Sequence, residues 1–213
     1  MKQTLSFLFF FSLTTTLFAQ PFLQAVDSKD YKAVEAAIKG GENVNALNEK
    51  GAFALWVAVW NHDPKMVALL LKNGANAGQT FKAEAGEMDL LGVAAQEGPL
   101  ETVKLLVEAG QDVNRRDFHG YTSLRTAARN GRTDIVKYLI SKGADINTQA
   151  DDGATPLEHA AGKGHFDIVK LLVEKGANIN LQDKEGDFAL GEAARHGFYD
   201  IVKYLLDKGA DTK

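Results

Sequence analysis

The sequence predicts an all-α solenoid of about six helix-turn-helix units with short β-hairpin loops, and two periodic marks carry that prediction. The alanine that closes the first apolar run of each unit recurs at Ala25, Ala58, Ala94, Ala127, Ala160 and Ala193, with spacings of 33, 36, 33, 33 and 33 residues. The glycine after the second run, at Gly41, Gly74, Gly110, Gly143, Gly176 and Gly209, repeats those spacings without change. A period of this length marks stacked supersecondary units, none of which buries its apolar face alone, so function belongs to a long composite surface. With 45% hydrophobic and 24% charged residues, the 213-residue chain has the composition of an ordinary globular protein, and one elongated domain suffices.

Residues 1–19 stand outside the period. Lys2 gives a positive start, residues 5–18 carry no charge, and Ala19 closes the segment, which is the pattern of a secretory signal peptide cut after Ala19. The uncharged stretch is short of the roughly 20 residues of a spanning helix, and Thr14, Thr15 and Thr16 dilute it, so no stable membrane anchor is expected after cleavage. The remaining 20–213 divide into units near 22–47, 48–82, 83–116, 117–149, 150–182 and 183–213. Lys2 is the one charged residue removed, which leaves 23 basic against 28 acidic residues and a net charge of −5. That balance disfavours nucleic acid, whose nonspecific affinity comes from neutralised phosphates. The chain has no cysteine, which removes disulfides, thiol catalysis and thiolate metal sites.

The elements follow in order. The first unit, PFLQAVDSKDYKAVEAAIKGG, has no hairpin before it and carries Ala36 and Ala37 where other units have paired large residues, as an amino-terminal cap would. Between Gly74 and Ala94 three extra residues fall in AGQTFKAEAGEMD, where Gly78 and Gly86 bracket Phe81; an insertion in a solenoid falls in a loop, often on the binding side. The clearest unit runs from Gly153 to Gly176. Thr155 is a fair N-cap, Pro156 suits the first helical turn, and Leu157, Ala160 and Ala161 form one buried stripe before Gly164 stops the helix. The second helix, HFDIVKLLVEKG, buries Ile168, Val169, Leu171, Leu172 and Val173, with Asp167 in its first turn and Lys175 in its last. ANINLQDKEG is rich in turn formers and suits an outward hairpin, and the last unit stops at residues 211–213 directly after its second helix, as a carboxy-terminal cap.

The run of Gly, Thr-Pro-Leu, Ala-Ala, Gly-His, Ile-Val-Lys-Leu-Leu and Gly-Ala-Asn resembles the ankyrin repeat, over essentially all of residues 22–213. Thr-Pro survives in one unit, and the histidine that usually follows Thr-Pro-Leu is replaced by Trp56, Gly92, Arg125, Glu158 and Gly191. The resemblance implies weaker ties between units than in a consensus array. It also implies that hairpin tips and the exposed end of helix one line a concave binding face. That face maps onto Trp60, Asn61, Gln96, Glu97, Arg129, Asn130, Lys163, Arg195 and His196, with Phe118, His119, Tyr121, Asp151, Asp152, Lys184 and Glu185 at the tips. His165 stands where such units commonly carry a structural histidine. Trp56 and Trp60 share a helical face; Trp56 is expected in the core and Trp60 at the surface.

Five of the six arginines, Arg115, Arg116, Arg125, Arg129 and Arg132, crowd the fourth unit among Phe118, His119 and Tyr121, the composition of interface hot spots. The competing account is intramolecular, with Arg125 pairing Glu158 and Arg132 balancing Asp134. The candidate protein-binding set is therefore Trp60, Phe81, Gln96, Phe118, His119, Tyr121, Arg125, Arg129, Asn130, Asp151, Asp152, Lys163 and Arg195. No His-Glu-x-x-His, Gly-x-Ser-x-Gly or Walker pattern is present, so neither catalysis, metal nor cofactor is expected. The sequence reads as a non-enzymatic module, monomeric when unbound, that binds another folded protein in the bacterial envelope, periplasmic or secreted. Inhibition or protection of an envelope enzyme is the specific expectation, and a secreted effector that binds a host protein is the alternative.

Overall fold

The computed structural model describes residues 20–83 and 86–212; the expected leader, 1–19, lies outside the described residues. The array is α1 (Pro21–Asp27), α2 (Tyr31–Lys39), α3 (Ala54–Trp60), α4 (Pro64–Lys72), β1 (Thr80–Ala83), β2 (Gly86–Asp89), α5 (Leu90–Glu97), α6 (Leu100–Glu108), α7 (Ser123–Arg129), α8 (Thr133–Ser141), α9 (Pro156–Gly162), α10 (Phe166–Glu174), α11 (Ala189–Arg195) and α12 (Tyr199–Asp207). None of these helices is long and apolar enough to cross a membrane. It is the expected all-α repeat.

Local chemistry sets the helix starts. Thr155 Oγ1 accepts from the Glu158 N–H at 3.1 Å to cap α9, Thr122 Oγ1 does so from Arg125 at 3.3 Å for α7, and Asp89 caps α5 through the Gly92 N–H at 2.8 Å. Asp30 and Asp63 cap α2 and α4 in the same way. Between paired helices the chain turns through a left-handed glycine, Gly131, Gly164 or Gly197, in the fourth to sixth units and through left-handed His62 in the second. On α10, Ile168, Val169 and Leu172 are buried, while Leu171 and Val173 are half-buried at the edge of the core.

The repeated alanines Ala58, Ala94, Ala127, Ala160 and Ala193 are fully buried where α3, α5, α7, α9 and α11 stack in sequence. From the third unit onward, small side chains let α5, α7, α9 and α11 pack more closely than α6, α8, α10 and α12 behind them. Closer spacing on one row makes that row the inner, concave one.

Ties between units are made by other side chains. Asn45, Asn114, Asn147 and Asn180 each span two units: the amide donates to the carbonyl of Gly74, Gly143, Gly176 or Gly209, and the side-chain oxygen accepts from the N–H of residue 76, 145, 178 or 211. Gly78 occupies the corresponding place in the second unit, and there Gln111 donates to the Ala77 carbonyl instead. His165 adds a structural tie, its Nε2 lying 3.0 Å from the Arg129 carbonyl.

Two expectations about the loops are corrected. The insertion expected as a loop on the binding side is an antiparallel hairpin, with Phe81 opposite Met88 and Lys82 opposite Glu87. The remaining tips among the described residues form no ladder beyond an isolated bridge between Arg116 and Thr122; each is closed by two backbone bonds, as from Asp117 N–H to Tyr121 O at 3.0 Å and from Gly120 N–H to Asp117 O at 2.9 Å.

Candidate functional site

The ends of α7, α9 and α11 and the hairpin tips beside them enclose a cleft of about 520 Å³ on the concave side. Stacking brings Arg129, Asp152, Lys163 and Arg195 to it from three units, joined by Glu158, His159, Asp183 and Glu192. Arg195 lies across Asp187 at 2.6 Å and also pairs with Glu192. Tip follows tip through backbone bonds, from Asp151 N–H to His119 O at 3.0 Å and from Lys184 N–H to Asp152 O at 2.9 Å. Arg116 adds bonds to the Gln149 carbonyl and to Asp151, so the fourth, fifth and sixth tips form one continuous rim.

Two members of the candidate set belong to the interior. Phe81 is buried, with its ring 4.2 Å from Trp56, so the insertion contributes a core residue and not a binding side chain. Arg125 is also buried: its guanidinium lies 3.3 Å from the centre of the Tyr121 ring, and burial lowers its pKa. The expected Arg125–Glu158 pair is absent among the described residues, and Arg132 donates to the Gly98 carbonyl at 2.7 Å in place of balancing Asp134.

The other candidates lie apart along the array. Trp60 ends α3 at the surface, stacked 5.6 Å from buried Trp56. Gln96 is exposed at the end of α5, and Asn130 donates back to the Thr126 carbonyl. Phe118, His119 and Tyr121 form a chain of rings 4.0 and 5.3 Å apart. Phe118 leans over Gly86, where its ring leaves no room for a β-carbon, and with Arg115 and Arg116 borders a second, smaller cleft against β1 and β2. The sequence cluster of arginines thus serves several separate environments.

Of the acidic side of the main cleft the sequence offers Asp152 and Glu185 but not Asp183 or Glu192, and Glu158 only as a partner for Arg125. Glu158 and His159 are adjacent on α9 yet oppositely shifted. Burial first, and the carboxylates of Asp183, Glu192 and Asp152 next, push the Glu158 carboxyl up to about 8. Burial first, and Arg125 and Arg129 next, push the His159 imidazole down to about 3. Thr155 followed three places on by Glu158 is a capping-box signature legible in the sequence; nothing local marks the convergence of Asp183 and Glu192 on it. No group of three or more His, Cys, Asp or Glu among the described residues is placed to hold a metal ion.

A family model described as ankyrin repeats in three copies matches residues 22–117, 55–150 and 124–213. Over 106 residues, half of the chain, the sequence is 30% identical to the nuclear factor NF-kappa-B p105 subunit of Gallus gallus. Over 101 residues it is 39% identical to the ankyrin repeat domain-containing protein SAT10 of Stachybotrys chartarum, a match to 47% of the chain. These matches span 11% and 5% of the two relatives' own lengths.

Proposed function

The chain belongs to the ankyrin-repeat family, whose repeats are generic protein-binding modules, and from that premise we propose that it binds another folded protein through its concave face in the bacterial envelope. There it inhibits or protects an envelope enzyme. The observation that carries the binding reading is the cleft, in which side chains from three successive units and their tips line one polar recess. A recess assembled by stacking suits a partner that touches several units at once. The envelope assignment is supported by the leader pattern of residues 1–19.

Affinity capture from a periplasmic extract, followed by affinity measurement with Arg129→Ala and Trp60→Ala, tests the reading. An envelope enzyme bound by the wild type and weakened by Arg129→Ala, with the fold retained, supports it; truncation of a central contact commonly costs about 2 kcal/mol or more. Unchanged affinity in both variants overturns the face assignment. Mass analysis of the exported protein is expected to find Gln20 at its amino terminus, and a chain that retains Met1 in the membrane fraction overturns the export assignment.

A further inference from the structure

The cleft floor has an unanswered polar group. The Glu158 side chain is 5% exposed and closes a capping box: Thr155 Oγ1 accepts from the Glu158 N–H, and the carboxyl returns to the Thr155 N–H. That bond occupies one side of the carboxyl, while Oε2 is buried against the cleft with no hydrogen-bond partner among the described residues. The group is costly where it stands unless a ligand completes it. The charges around it are polarised. Asp152 from its own tip, Asp183 from the next tip and Glu192 from α11 act on Glu158, whereas Arg125 and Arg129 of α7 and Lys163 act on His159 beside it. Of the cations that the sixth unit brings to the cleft, Arg195 is already held by Asp187 and Glu192, and Lys184 lies on the tip above them.

We propose that Glu158 is the floor of a receptor for a lysine or arginine side chain of the partner protein, which enters between the fifth and sixth tips. The inference rests on the concave-face reading. A long apolar stem with a charged head reaches a recessed carboxyl from outside, and an ammonium or guanidinium supplies the donor that Oε2 lacks. Asp183 and Glu192, already drawn to the same point, reinforce it.

Proton linkage gives the receptor a signature. The cation pairs with the ionised carboxylate, and the free protein holds Glu158 protonated up to about pH 8. Entry of the cation therefore releases a proton, and affinity rises with pH toward 8 and levels off above it.

The test follows the Glu158 carboxyl signal by nuclear magnetic resonance between pH 6 and 8.5, with N-acetyl-arginine amide and N-acetyl-lysine amide as probes and N-acetyl-glutamate amide as control. A saturable shift with either cationic probe, with the Glu158 midpoint lowered, is expected. No change in that midpoint, or the same change with the anionic control, overturns the receptor. Glu158→Gln keeps the capping box, because Gln makes the same return bond, and removes the ionisable group. With the captured partner it is expected to weaken binding about ten- to a hundredfold at pH 8 and to abolish the pH dependence. If Arg129→Ala weakens the partner and Glu158→Gln does not, the receptor is wrong and the concave face stands. If neither of these nor Trp60→Ala does, the face itself is wrong.

Discussion

At the scale of the residue, Glu158 and His159 pull stability in opposite directions along the pH axis. Glu158 is raised from 4.5 to about 8, so in that window the folded protein keeps a proton that the unfolded chain has lost, and stability falls as pH rises. His159 is lowered from 6.5 to about 3, so stability falls as pH drops through that window. Between pH 4.5 and 6.5 the two slopes oppose; from 6.5 to 8 that of Glu158 is left. Denaturant unfolding at pH 6.5 and 8.5 should show the wild type losing stability while Glu158→Gln loses less, and equal losses would contradict the buried carboxyl. Trp56 in the core and Trp60 at the surface were both legible from the chain. The burial of Arg125 was not legible: the sequence offers it as a binding or ion-pairing residue, whereas its guanidinium lies over the Tyr121 ring.

At the scale of the element, the start of α9 was written locally in Thr155 and Pro156, where a cap satisfies orphan N–H groups, and the sequence could be read there. The hairpin of the insertion could not, because what anchors β1 is the tertiary stack of Phe81 on Trp56. Phe81→Ala is accordingly expected to destabilise the protein by about 3–5 kcal/mol, a core cost, and to shift the tryptophan emission. Denaturation with fluorescence detection measures both, and a cost below about 0.5 kcal/mol would return Phe81 to the surface. Leu172→Ala on α10, at a fully buried position, should cost about 2–5 kcal/mol by the same measurement. Asn147 makes two bonds across the joint between units, to the Gly176 carbonyl and from the Asn178 N–H. Asn147→Ala should remove about 1–3 kcal/mol and broaden the unfolding transition, because the loss falls on a joint between neighbours and not within one unit. An unchanged transition width would mean that the asparagine ladder does not couple the units.

At the scale of the molecule, the period alone fixed the architecture, because alternating small and large apolar faces leave stacking as the way to bury them. The proposed binding surface was less legible: its inner row could be counted off the repeat, but the polarity of the cleft arises from Asp183, Glu158 and Glu192, which meet through stacking alone. The central claim is that this inner row is the interface. Hydrogen–deuterium exchange of the protein with and without its captured partner measures it most directly. The account predicts added protection at the ends of α7, α9 and α11 and along the tips near residues 118–121, 151–154 and 183–187. Protection confined to the outer row, α8, α10 and α12, would contradict it.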